Sequence, residues 1–210
     1  VYPPFLSAPG NAGKQLNKVP LAYQNRGWEI DFKKLESATG KATKLYLLCN
    51  PHNPTGRIFT RQELIELGNW AERHDIIVCS DEIHCDLLLT DTPHVPFASI
   101  SPELSARTIT LMAPSKTFNL AGIGLSFAIV SDKKLRIRLQ KAQQGLVPHP
   151  NLFGYESALA AYQHGEGWLQ ALLPYLQKNR DEVFHRINSL DGLSMHLPEA
   201  TYLGWIDTQE

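Results

Sequence analysis

Three short segments set side chains capable of amine and carbonyl chemistry at the ends of apolar runs. Lys116 lies in Ala113-Pro114-Ser115-Lys116-Thr117-Phe118-Asn119, directly after the strand-like run 107–112. Burying an ammonium is costly, so a lysine at the end of a buried strand makes sense when its amine is used covalently. An amine held near apolar surface is partly deprotonated and can form a Schiff base with an aldehyde. A Ser-Lys pair taken alone is more often solvated surface, so the assignment depends on what accompanies it.

Two other segments accompany it. In Leu47-Leu48-Cys49-Asn50-Pro51-His52-Asn53-Pro54-Thr55-Gly56, an apolar strand enters a turn with two prolines, two asparagines and a glycine. Turn chemistry alone would explain that composition. In Ile76-Ile77-Val78-Cys79-Ser80-Asp81-Glu82, another apolar strand ends in an acid, for which a surface turn is the plainer explanation. Together they place an amide, a carboxylate and a lysine at the C-terminal ends of three candidate strands. In an open α/β sheet that edge is where ligands bind. The aldehyde that needs both a lysine Schiff base and an acidic partner for its ring nitrogen is pyridoxal phosphate, PLP.

At these residues the chain resembles the class I/II aminotransferases of PLP fold type I. The segment 50–56, Asp81 and Ser115-Lys116 stand in that family's order and at about its spacing. The wording of 80–86, of 113–122 and of Val1-Tyr2-Pro3-Pro4-Phe5 is similar to one subgroup, the cystathionine β-lyase-like carbon–sulfur lyases. The resemblance covers nearly all 210 residues. It implies that Lys116 holds PLP, that Asp81 pairs with the pyridine nitrogen, and that Asn53 hydrogen-bonds the ring hydroxyl. Tyr2 matches the aromatic residue that stacks on the ring, and Ser115 a hydroxyl near the phosphate. His84 stands where many aminotransferases carry a tyrosine, which fits the lyase subgroup. Gly124 stands where many carry a phosphate-binding arginine, so other groups must hold the phosphate.

The resemblance also implies an excised piece of a longer, homodimeric enzyme with shared active sites. Missing would be an upstream phosphate-cupping turn and helix N-terminus, a tyrosine reaching the partner's site, and a C-terminal arginine for the substrate carboxylate. Such a piece alone is expected to have little activity. The implied division is residues 1–167 as part of the PLP-binding large domain, 168–187 as an interdomain helix, and 188–210 as the start of a small α+β domain. The implied activity of the whole enzyme is β-elimination on a small sulfur-containing amino acid. The rivals are transamination and a non-catalytic role that binds only PLP or a regulatory protein.

Composition is that of an ordinary globular protein, and the length allows one sizeable core, or one domain plus part of another. A net charge of −1 implies no nucleic-acid partner, and no apolar run approaches a membrane span. Cys49, Cys79 and Cys85 have no disulfide-framework spacing and read as reduced thiols of a cytoplasmic protein. A zinc site from Cys79, His84 and Cys85 is disfavoured because two of these lie on an apolar strand and its exit, so no metal is expected.

The elements that must position the three segments follow from local pattern. Residues 6–30 are turn-rich and predict an irregular excursion with a short strand. A short helix is expected at 32–37 and a strand at 44–49. Thr60 and Glu63 form a capping box before Leu64, Leu67 and Trp70 at helical spacing, giving a helix to about His74. Strand 76–79 then completes a parallel crossover. Strands 108–112 and 125–130 are expected to pair antiparallel. Helices are predicted at 135–144, 155–163 and 168–187, the last started or kinked by Pro174. Strands are predicted at 193–197 and 202–206. Trp70, Phe127 and Phe184 read as core, and His94, His149, His164, His185 and His196 as solvated or packed.

Overall fold

The computed structural model describes residues 1–24 and 27–208. The turn-rich stretch at 25 and 26 and the last two residues of the expected small domain lie outside the described residues.

The centre is a four-stranded sheet in the order β3-β4-β5-β6, with β3 at Leu45–Cys49, β4 at Ile77–Asp81, β5 at Thr108–Met112 and β6 at Phe127–Ile129. The first three strands are parallel, and β6 returns antiparallel to β5 with Leu111 opposite Ala128. This mixed α/β sheet is the one expected from the sequence, including the sense of its last pairing.

Helix α3, Arg61–Arg73, makes the parallel crossover between β3 and β4. The capping box forms: the Thr60 hydroxyl accepts the Glu63 N–H, and the Glu63 carboxylate accepts the Thr60 N–H. Such a cap stabilises by about 1 kcal/mol. It aims Leu64, Leu67, Trp70 and Ala71 at the sheet, where they join Leu48, Ile76, Val78 and Phe97 in the main core. A left-handed Asp75, φ 51°, turns the chain from α3 into β4.

Helices α2 (Phe32–Ala38), α5 (Lys133–Gln143) and α6 (Leu152–His164) each start at a side-chain cap, from Asp31, Asp132 and Asn151 respectively. Helix α4, Pro102–Ala106, is capped by Ser101 and has no counterpart among the helices predicted above. Helix α7 runs from Glu166 to Ile187 and passes through Pro174, so the proline does not start it. Beyond it lie the short antiparallel strands β7, Ser194–Met195, and β8, Ile206–Asp207. Residues 202–205 are not strand.

Two further expectations are corrected. The stretch 6–30 is not irregular at its start: α1, Pro4–Asn11, begins with proline in its first turn, where the missing N–H is harmless. It continues into an antiparallel hairpin, β1 (Ala22–Gln24) with β2 (Gly27–Glu29), rather than one strand. Trp70 is core at 2 % exposure, but Phe127 is 37 % exposed. Among the described residues its strand is the edge of the sheet, and all three β6 residues are exposed there. Phe184 is only half-buried. No helix among the described residues is long and apolar enough to cross a membrane.

Candidate functional site

The parallel register brings three strand exits to one edge. Cys49 lies opposite Asp81, and Asp81 opposite Leu111. The Asn50 N–H donates to the Asp81 carbonyl at 3.1 Å and the Glu82 N–H to the Leu111 carbonyl at 3.0 Å, so the exits stay flush.

The loop after β3 folds back on itself. Asn50 is fully buried, and its side-chain oxygen accepts the Phe59 N–H at 3.0 Å. The His52 N–H donates to the Arg57 carbonyl and the Gly56 N–H to the His52 carbonyl, both at 2.8 Å. The Asn53 N–H reaches Cys49 Sγ at 3.3 Å, which leaves the half-buried Asn53 carboxamide uncommitted among the described residues. Gly56 has φ +69°, and a Cβ there would lie 2.4 Å from Pro198 Cβ and 2.8 Å from the Ala200 carbonyl. Gly56→Ala is therefore expected to destabilise by more than about 1 kcal/mol, lowering the melting temperature by roughly 2–4 °C or more in a thermal denaturation.

Asp81 ends β4 half-buried. Burial pushes its carboxyl up from the ordinary range; the Ile83 N–H at 3.1 Å from Oδ1 pulls it down, neighbouring Glu82 pushes it up, and Lys116 pulls it down. Burial prevails, so the carboxylate lacks a sufficient cationic partner among the described residues. Glu82 behind it is fully buried and satisfied. It accepts the Ser80 hydroxyl at 2.8 Å and the Phe97 N–H at 3.1 Å, and pairs with His94 at 2.8 Å.

Lys116 sits in the turn after β5. The Phe118 N–H donates to the Pro114 carbonyl, and the Leu120 N–H to the Ser115 carbonyl. Thr117, fully buried, donates its hydroxyl to Asp86 Oδ2 at 2.9 Å and so fixes the turn to the residues after β4. Lys116 and Ser115 are half-buried, and Lys116 has no hydrogen bond or ion pair among the described residues. Its charge is felt by both Asp81 and His84. His84 is buried, and burial first, then Lys116, lowers it to about 4, so it is neutral at neutral pH.

The sequence-predicted Asn53, Asp81, His84, Ser115 and Lys116 thus share one edge of the sheet. Tyr2 precedes α1 and is half-exposed. Gly124 is left-handed at φ 70°, a conformation an arginine would occupy only under strain. The three cysteines are free, and burial raises Cys49 to about 11 and Cys79 and Cys85 to about 12. His94 is packed and paired rather than solvated.

An uncommitted lysine, an under-compensated carboxylate and a neutral imidazole at the ends of parallel strands are the parts of an amine-using site. The model of the family "Aminotransferase class I and II" matches residues 2–210. The chain belongs to this family. It is similar to "Cystathionine beta-lyase PatB" of Bacillus subtilis, with 37% identity over 99% of this chain and 54% of that one. Among solved structures it is similar to "OvoB", with 46% identity and a TM-score of 0.97 over 99% of this chain and 55% of that one. It is also similar to PLP-containing cystalysin from Treponema denticola, with 35% identity and a TM-score of 0.94 over 99% of this chain and 53% of that one. The chain spans about half the length of the relatives it matches.

Sequence reasoning missed the Glu82–His94 pair, and it missed Arg57, which pairs with Glu63 at 3.1 Å and Glu199 at 2.9 Å. Glu82 had a signal, its place beside Asp81 on an apolar strand. The Arg57–Glu199 pair had none, because Glu199 is 142 positions away.

Proposed function

We propose that these residues form the cofactor-binding part of a PLP-dependent carbon–sulfur β-lyase, which splits cystathionine or a cysteine-type amino acid into a thiol, pyruvate and ammonia. The observation that carries this is Lys116: half-buried, uncommitted, and electrostatically coupled to both Asp81 and His84. The cofactor fits these groups. A pyridinium nitrogen is the cation that Asp81 lacks, and a lysine without an ion pair is free to hold an aldehyde carbon.

In this reading Lys116 would hold PLP through Nζ, Asp81 would pair with the ring nitrogen, and Asn53 would donate to the ring hydroxyl. Ser115 would serve the phosphate and Tyr2 the ring, with neutral His84 in place of the usual tyrosine. When bound, PLP supplies a ring that withdraws electrons from the substrate Cα. Displaced from the aldehyde carbon by the substrate amine, Lys116 Nζ would be a free amine that takes the Cα proton and gives a proton to the departing sulfur. Residues 1–167 belong to the large domain, α7 links the domains, and 188–210 begin the small one. The working unit is a homodimer; exposed Leu146, Leu152 and Phe153 supply the apolar surface that a second copy would cover.

The test supplies full-length protein with PLP and L-cystathionine and no amino acceptor. Pyruvate is the expected product. Turnover that appears only when a keto-acid acceptor is added would replace this reading with transamination.

A further inference from the structure

We propose that Tyr202 is a specificity-determining residue of this site, its ring forming a wall against which the side chain of a thioether amino acid packs. The proposal rests on the lyase reading above and adds the group that recognises the substrate side chain.

Tyr202 ends a strap, residues 198–202, that returns from beyond α7 and lies between the Asn53 loop and the His84 turn. On one side the N–H groups of Glu199 and Ala200 both donate to the Gly56 carbonyl at 2.9 Å. On the other, the Leu89 N–H donates to the Glu199 carbonyl at 2.8 Å and the Thr201 N–H to the Leu87 carbonyl at 2.9 Å. The Glu199 carboxylate accepts the Ile58 N–H at 2.8 Å and pairs with Arg57, which is 3% exposed. From α7, Arg180 donates to the carbonyls of Leu89 and Pro198. Ala200 and Thr201 are fully buried. The strap is therefore part of the site's rigid frame and cannot shift without breaking both flanking loops.

Thr201 has φ +71°. A left-handed β-branched residue is strained, and such strain persists where surrounding contacts over-determine the backbone, as at ligand sites. The Leu203 N–H donates to Thr201 Oγ1 at 3.2 Å and closes the turn. Its effect is to set the Tyr202 ring edge-on to His84, with centroids 6.1 Å apart and planes at 82°. His84 is buried and feels the Lys116 charge, so the Tyr202 ring packs against a group beside the proposed reacting amine. In the described chain Tyr202 is 47% exposed, and this ring surface is the face assigned to the ligand. Aromatic rings attract thioether sulfur as well as apolar chain, an effect of roughly two- to tenfold in affinity.

The experiment compares full-length holoenzyme with its Tyr202→Ala, Tyr202→Leu and Tyr202→Phe variants on L-cystathionine and on β-chloro-L-alanine, which eliminates without a thioether. The readout is the ratio of the two KM values. Tyr202→Ala is expected to raise the cystathionine-to-chloroalanine ratio about five- to tenfold with kcat moving little. Tyr202→Leu should fall between, and Tyr202→Phe should restore the wild-type ratio. An unchanged ratio in Tyr202→Ala overturns the proposal, because a tyrosine that only packs on His84 would affect both substrates alike. A ratio that Tyr202→Phe fails to restore overturns it in favour of the hydroxyl. Should the protein transaminate instead, the lyase reading falls separately, and the same ratio is read with L-methionine against L-alanine. A protein that turns over neither kind sinks both.

Discussion

Lys116→Ala is expected to abolish turnover in the full-length protein, with kcat falling at least about a thousandfold. A positioned general base is worth roughly two to four orders of magnitude, and a thousandfold corresponds to about 4 kcal/mol of barrier. The substitution also removes the covalent hold on the cofactor. Borohydride reduction should then fix no PLP to the peptide spanning 113–119, whereas wild-type protein should carry it there. Lys116→Arg separates this role from simple electrostatics. It keeps the positive charge beside Asp81 and His84, yet a guanidinium stays protonated and is a poor nucleophile and base. Retention of a tenth of wild-type turnover by Lys116→Arg, or a borohydride label on another lysine, would remove Lys116 from the mechanism.

What the sequence disclosed and what it hid divide by distance along the chain. The capping box of α3 was legible because Thr60 and Glu63 are three residues apart and their bonds are local. The strand exits were legible because an apolar run followed by a turn is also local. Parallel pairing then had only to align the exits, and the α3 crossover does so with Cys49 opposite Asp81. Helix α1 was missed because Gly10 and Gly13 read as turn signals, although Gly10 lies inside the helix and the helix opens on a proline that its first turn tolerates. Phe127 was read as core because aromatic content marks a strand, but it does not tell whether a strand is central or, as β6 is among the described residues, an edge. The strap at 198–202 was invisible for a stronger reason. Nothing local marks it off from the strands predicted on either side, while Glu199 meets Arg57 and Tyr202 meets His84 from far along the chain. The site's frame is therefore a tertiary property, even though its proposed reacting groups stand in local motifs.

Asp81→Asn is expected to lower Cα-proton exchange on the full-length enzyme by at least about a hundredfold, or roughly 2.7 kcal/mol, while leaving the cofactor-free protein as stable as wild type or more so. The two effects have one cause. Burial raises the Asp81 pKa above its ordinary value despite the Ile83 N–H and Lys116. The folded state thus binds this proton more tightly than the unfolded state does. Stability from this group is complete below the unfolded pKa and is lost as pH rises through the folded one. At neutral pH the cofactor-free protein consequently carries a buried charge that works against folding, and asparagine removes it while keeping an oxygen to accept the Ile83 N–H. With the cofactor bound, that same charge becomes the partner of the ring nitrogen and keeps it protonated, which asparagine cannot do. Thermal melts of cofactor-free protein at pH 7, set beside exchange rates in saturating PLP, check both halves. A melting temperature several degrees below wild type would mean that Asp81 is a structural carboxylate, and near-normal exchange would mean that it does not serve the ring nitrogen.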